Sequence, residues 1–231
     1  TVTLVIAAMK NSDFSWTHNL DVPNSQVIPY IADDETATFH PTANKGHEAM
    51  AYLTYIYTAY DILPDISIFV HDADHAWHND PILESSLTYT INHLNLDEVE
   101  ERGYLSLRVD WQNGCPNWIN TSITTTSPTY SEFRKEEALM GPFFQRMFPG
   151  QPLPPIFSGP CCSQFAATRA AIHALPRSWY KTQIEFLEAT HLDDAVSGRL
   201  YEHMWPYMFS GVAIDCPIEY KALCRQYRIC F

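Results

Sequence analysis

The chain contains no Gly-x-Gly-x-x-Gly fingerprint, no Walker-type phosphate loop and no Gly-x-Ser-x-Gly elbow, so the sequence signatures of dinucleotide dehydrogenases, nucleoside-triphosphatases and α/β esterases are all missing. Positive charge is also scarce. Fourteen Lys plus Arg stand against 27 Asp plus Glu, for a formal net charge of −13, and a polyanion would meet long-range repulsion. Nucleic acid is not an expected partner. No apolar run approaches the roughly 18 to 20 residues that a membrane-spanning helix needs. The first residues are Thr-Val-Thr-Leu-Val-Ile rather than a basic and then apolar leader, so any signal peptide or anchor is expected to have been removed. Close Cys-x-x-Cys pairs and Cys/His finger spacings are lacking as well, which argues against a structural zinc site.

What is present is a chain of 231 residues, long enough for one substantial core and without a linker-like stretch between two. The six cysteines, at 115, 161, 162, 216, 224 and 230, suit three disulfides. Adjacent cysteines pair with difficulty, so Cys161 and Cys162 are expected to reach different partners. Asn120-Thr121-Ser122 is a glycosylation sequon. Together these features predict a secreted or secretory-pathway protein; the oligomeric state is left open.

Strand and helix patterns alternate along the chain. Residues 1–9 and 26–32 read as strands, and residues 47–60 as a helix from the spacing of Ala49, Tyr52, Leu53, Ile56 and Tyr60. Residues 66–70 form an apolar strand. A helix is expected from Pro81 to about His93, with residues 95–102 as its end and a loop, and a strand at 104–109. The Asn-, Thr-, Ser- and Pro-rich stretch 111–128 reads as an irregular excursion pinned by Cys115. Further helices are expected at 130–147, 177–189 and 197–209, with a short strand at 163–167 and a helical turn at 168–174. The mixture favours a single α/β domain over a helical bundle.

The most chemical segment follows the strand at 66–70, where two Asp and three His occupy the eight positions from His71 to His78. Strand ends are where α/β proteins place chemistry. These oxygen and nitrogen donors, Asp72, Asp74, His71, His75 and His78, suit a divalent cation. The same aspartates equally suit capping of the turn that leads to Trp77. Glu48 opens a helix, where a first-turn carboxylate favours the dipole as readily as a substrate. Trp16, Trp77 and Trp205 offer faces for sugar rings or bulk for the core.

Asn44-Lys-Gly-His-Glu48, Asp61-Ile-Leu-Pro-Asp65 with Phe69-Val-His71, Trp77-His-Asn79, Gly103-Tyr-Leu-Ser-Leu107, Cys162-Ser-Gln-Phe-Ala166 with Arg169, and Ser197-Gly198 with Glu202 to Trp205 together resemble a fungal secreted family catalogued only as a domain of unknown function (number 3431). A fold-level resemblance to GT-A glycosyltransferases implies a mostly parallel central sheet flanked by helices, here with disulfide-stabilised loops. It also implies an Asp-x-Asp motif, Asp72 and Asp74, holding Mn²⁺ or Mg²⁺ against a nucleotide sugar, or Zn or Cu if the histidines are the ligands. Under that resemblance Lys10, Lys45 and Arg169 assist the diphosphate, Glu202 or His203 completes the site, and Glu202 or Asp74 serves as the catalytic carboxylate, with a carbohydrate or glycoconjugate as acceptor. Two other classes compete: a hydrolase pairing Asp72 or Asp74 with Glu202, and a non-enzymatic metal- or carbohydrate-binding protein.

Overall fold

The computed structural model describes every residue except 113, 117 and 118; these three, inside the expected excursion at 111–128, lie outside the described residues. Its central sheet is built from β1 (Val2–Ala8), β2 (Ser25–Ile31), β3 (Ile66–His71), β4 (Tyr104–Ser106) and β7 (Phe165–Thr168), in the order β2-β1-β3-β7-β4. A separate two-stranded ribbon pairs β5 (Ile119–Asn120) with β6 (Ile156–Phe157). Strands β1 and β3 are almost entirely buried, as their unbroken apolar runs require of strands covered on both faces.

Side-chain alternation divides the core into two layers. Val5, Phe69, Tyr104 and Phe165 face one cluster, packed with α1 (Glu48–Ala59), α4 (Lys135–Met147), α6 (Arg177–Ala189) and α7 (Asp194–Ser210). Leu4, Ile6, Ile68, Val70 and Leu105 face the other, covered by α2 (Leu87–His93), α3 (Leu96–Arg102) and α8 (Glu219–Tyr227). The short α5 (Arg169–His173) directly follows β7. Helix α1 buries Ala49 through Ile56 without a gap, which is the behaviour of a core helix rather than a surface one.

The expected mostly parallel, GT-A-like sheet is corrected. Strands β1–β2 and β1–β3 pair in parallel, but β7 runs antiparallel to both β3 and β4, so the sheet is mixed. The chain enters β7 through Cys162 and Ser163, whose φ values of 90° and 50° turn it back from the edge where β3 ends. The cysteine expectation is corrected too. Cys161 and Cys162 bond to each other, alongside Cys115–Cys216 and Cys224–Cys230.

Several boundaries shift for local reasons. Instead of one helix from Pro81, a 3-10 turn at Pro81–Leu83 is capped by Asp80, Glu84 and Ser85 take positive φ, and α2 begins afresh behind a Ser86 cap. Residues expected as helix end and loop form α3, with Asp97 and Glu98 in its first turn, Arg102 in its last and Gly103 beyond it, the charge order that a helix dipole favours. The expected strand at 104–109 stops at Ser106. Among the described residues, no helix is long and apolar enough to cross a membrane.

Candidate functional site

A cavity of about 1040 Å³ opens where β1, β2 and β3 end, lined by Ala7 to Met9, Ala32, His71 and Asp72. The carboxyl edge of parallel strands is where α/β folds expose backbone ends and loops to a ligand. Helix α1 supplies His47 and Glu48 at its start, α7 supplies Asp194, Gly198, Arg199 and Glu202, and the Cys161–Cys162 disulfide forms part of the wall. Close approach of the two helices depends on glycine. A Cβ on Gly198 would stand 3.1 Å from the Gly46 carbonyl oxygen and 3.0 Å from the His47 ring, and Gly46 itself has φ +67° with Leu187 against it.

Glu202 is the most perturbed carboxyl group of the cavity. Burial, reinforced by the nearby charge of Glu48, pushes it up to about 7 against the opposing Cys162 hydrogen bond. The Cys162 amide donates to its Oε1 at 2.7 Å. Its neighbour His203 is not part of the lining, and burial pushes that ring down to about 3.

His71, Trp77 and His78 form a ladder of rings. His78 stacks on His71 at 4.6 Å with 6° between planes, and Trp77 lies against His78 at 4.1 Å. Burial and the adjacent His71 push His78 down to about 4, so it is a neutral ring at neutral pH. The Nε2 of His71 lies 2.9 Å from the Cys162 carbonyl; a carbonyl only accepts, so the proton sits on Nε2. The buried Arg108 reaches the Trp77 and His78 carbonyls at 3.1 and 3.4 Å and fixes the loop that carries the ladder. Trp77 remains 69% exposed at the rim.

The other expected site residues have structural engagements. Asp72 lines the cavity and accepts from the Ser12 hydroxyl, while its carbonyl takes the Trp16 indole N–H at 2.7 Å. Trp16 is thus a buried support. Asp74 points away, accepting from the Ser86 hydroxyl at 3.0 Å and the Thr88 amide at 2.7 Å, with His75 beside it at 3.1 Å. It is a cap for the start of α2. Trp205 is core, 1% exposed, with its indole N–H on Ser163.

The basic residues are dispersed. Lys10 pairs with Asp34 at 3.1 Å, and Lys45 bridges the Leu192 carbonyl and Asp194. Arg169 binds the Leu63 carbonyl and Asp65 beside the Ile66–Thr168 pair, at the opposite end of β3 from His71. None of the three lines the cavity.

The expected divalent metal, whether Mn, Mg, Zn or Cu, is likewise corrected. Among the described residues, no group of three or more His, Cys, Asp or Glu side chains is arranged to hold an ion. The physical reason lies in the partners just described: Asp74 and His75 are turned out of the cavity, the protonated nitrogen of His71 faces a carbonyl, and His78 is held between two rings.

Sequence reasoning missed the disulfide wall, Arg199, Glu136 and Arg134 of the lining, and the positive φ of 52° at His47. Only the Asn44–Glu48 and Ser197–Gly198 motifs carried a signal for that corner. No curated protein and no solved structure matches the chain. The model of the family described as protein of unknown function, DUF3431, matches residues 4–225, and the chain belongs to that family.

Proposed function

We propose that this cavity is the active site of a carbohydrate-active hydrolase that works by carboxyl acid–base chemistry, with Glu202 as the general acid and Asp72 as its partner carboxylate. The observation that carries the reading is Glu202. A carboxyl group that holds its proton to about pH 7 can deliver that proton to a leaving oxygen under neutral conditions, which an ordinary carboxyl group does poorly. Asp72, which accepts a hydroxyl hydrogen bond, faces the same cavity as the second carboxylate that glycoside cleavage requires. Trp77, exposed at the rim and backed by His78, offers the flat apolar face on which a sugar ring stacks. Three disulfides support placing the protein in a secreted or luminal compartment, where the exposed Asn120 sequon would be glycosylated.

A second reading, glycosyl transfer from a nucleotide sugar, is favoured by Arg134 and Arg199 in the lining, since guanidinium groups suit a departing diphosphate. The test is a screen of aryl glycosides, oligosaccharides and polysaccharides, with nucleotide sugars run in parallel. Release of reducing ends from an unactivated glycoside, lost in Glu202→Gln, supports hydrolysis. Turnover confined to nucleotide sugars supports transfer, and absence of turnover on every substrate would overturn both.

A further inference from the structure

The Cys161–Cys162 disulfide spans a sequence separation of 1. A crosslink stabilises a fold chiefly by closing a long loop in the unfolded chain, and one between neighbours closes almost none. Its effect must be local. What it constrains is the Cys161–Cys162 peptide, whose N–H donates to Glu202 at 2.7 Å, and the Cα of Cys162, which carries the carbonyl that accepts from His71 Nε2 at 2.9 Å.

The backbone there is unusual. Cys162 and Ser163 both have positive φ, 90° and 50°, a region that a residue with a side chain occupies only when its surroundings impose it. Surrounding groups hold the segment from below. Arg108 lies 3.9 Å from the Cys162 sulfur, and the Trp205 indole reaches the Ser163 hydroxyl.

We propose that the Cys161–Cys162 disulfide is a positioning device for the cavity, tying two neighbours into one ring that fixes the Cys162 N–H towards Glu202 and, through the ring's Cys162 Cα, the Cys162 carbonyl towards His71. This deepens the acid–base reading of the same site. It ties the proton affinity of Glu202 and the tautomer of His71 to one covalent ring and the carbonyl it carries. The other charged or titratable groups that line the cavity with Glu202 are His47 and Glu48 at the start of α1, His71 and Asp72 at the end of β3, His78 from the loop beyond it, Arg134 just before α4, Glu136 in its first turn, and Asp194 and Arg199 from α7. Among the described contacts, only His71 of these groups bonds Cys161 or Cys162, through the Cys162 carbonyl, so the others stay as a common background when the ring is opened.

The test compares the protein with a Cys161→Ser plus Cys162→Ser variant that keeps the other two disulfides. Three quantities are read: the Glu202 carboxyl titration by ¹³C NMR, the His71 tautomer by ¹⁵N NMR, and the melting temperature. Loss of a hydrogen bond to the ionised form raises a carboxyl pKa. The expected result is a Glu202 midpoint higher by a pH unit or more, a tenfold gain in proton affinity, with mixed His71 tautomers and little change in melting temperature. An unchanged midpoint and a single tautomer would overturn the proposal. If the variant does not fold, phosphine reduction of the unmodified protein, with the opened disulfide located by mass spectrometry, gives the same readings; loss of fold there as well would make the bond a structural staple and overturn it. The expected shift in a protein that turns over no glycoside would support the positioning role while sinking the hydrolase reading.

Discussion

At Glu202, burial and the Glu48 charge act in the same direction, and their effect reaches stability as well as chemistry. The folded protein holds the Glu202 proton up to about pH 7, against 4.5 for a free side chain, so the folded state binds more protons between those values and stability falls as pH rises through them. The full penalty above pH 7 is of order 3 kcal/mol. We expect Glu202→Gln, which keeps an acceptor for the Cys162 amide, to remove that decline and to unfold at higher urea than the parent at pH 8. The opposite slope belongs to His78, lowered from 6.5 to about 4. The unfolded chain gains that proton first as pH falls, so the His78 contribution is complete above pH 6.5 and lost towards pH 4. His78→Phe, which keeps the ring stack, should flatten this acid-side loss in melting curves from pH 7 to 4. The donors at His71 to His78 were legible in the sequence as a chemical cluster. Their division into cavity, cap and surface was not, because Asp74 is claimed by Ser86 and Thr88, and such short-range competition has no periodic signature.

Among elements, the contact of α7 with the start of α1 shapes the cavity. Gly198→Ala would bring a methyl group within 3.1 Å of the Gly46 carbonyl and 3.0 Å of the His47 ring, so both neighbours must give way. Overpacking of this kind typically costs about 1–3 kcal/mol, which urea unfolding would read, and the displaced His47 and Glu202 should lower turnover as well. Trp77 sits at the other extreme. It is exposed and belongs to a loop held by Arg108, so Trp77→Ala should change stability by less than about 0.5 kcal/mol while weakening oligosaccharide binding by calorimetry. Equal loss of stability and binding would contradict its role as a stacking face. Helices α1 and α6 were legible because their apolar residues recur at helical spacing. Helix α3 was not, since five of its seven residues are charged and only Leu96 and Val99 pack into the core, too few to mark a helical stripe.

For the whole molecule, the long-range constraint lies in Cys115–Cys216, which encloses 101 residues of sequence separation. Losing a native disulfide that closes a loop of this length typically costs about 2–5 kcal/mol. Cys115→Ser plus Cys216→Ser should therefore lower the unfolding free energy by that amount, whereas the Cys161 and Cys162 pair of substitutions should not. The α/β class and the strand-end location of the cavity were readable from alternating patterns and from the apolar run ending at His71. The sheet's mixed character was not, because β7 is only four residues long and nothing in Phe-Ala-Ala-Thr encodes its direction; that is set by the turn at Cys162 and Ser163. The central claim, that this cavity performs acid–base chemistry through Glu202, is tested most directly by the pH dependence of kcat/KM on a glycoside that the screen identifies. A general acid must carry its proton, so the rate should hold below about pH 7 and fall about tenfold per unit above it, whereas Glu202→Gln should lose about 10²–10⁴-fold below pH 7 and show no such limb. A profile without that limb, or one retained in Glu202→Gln, would contradict the account.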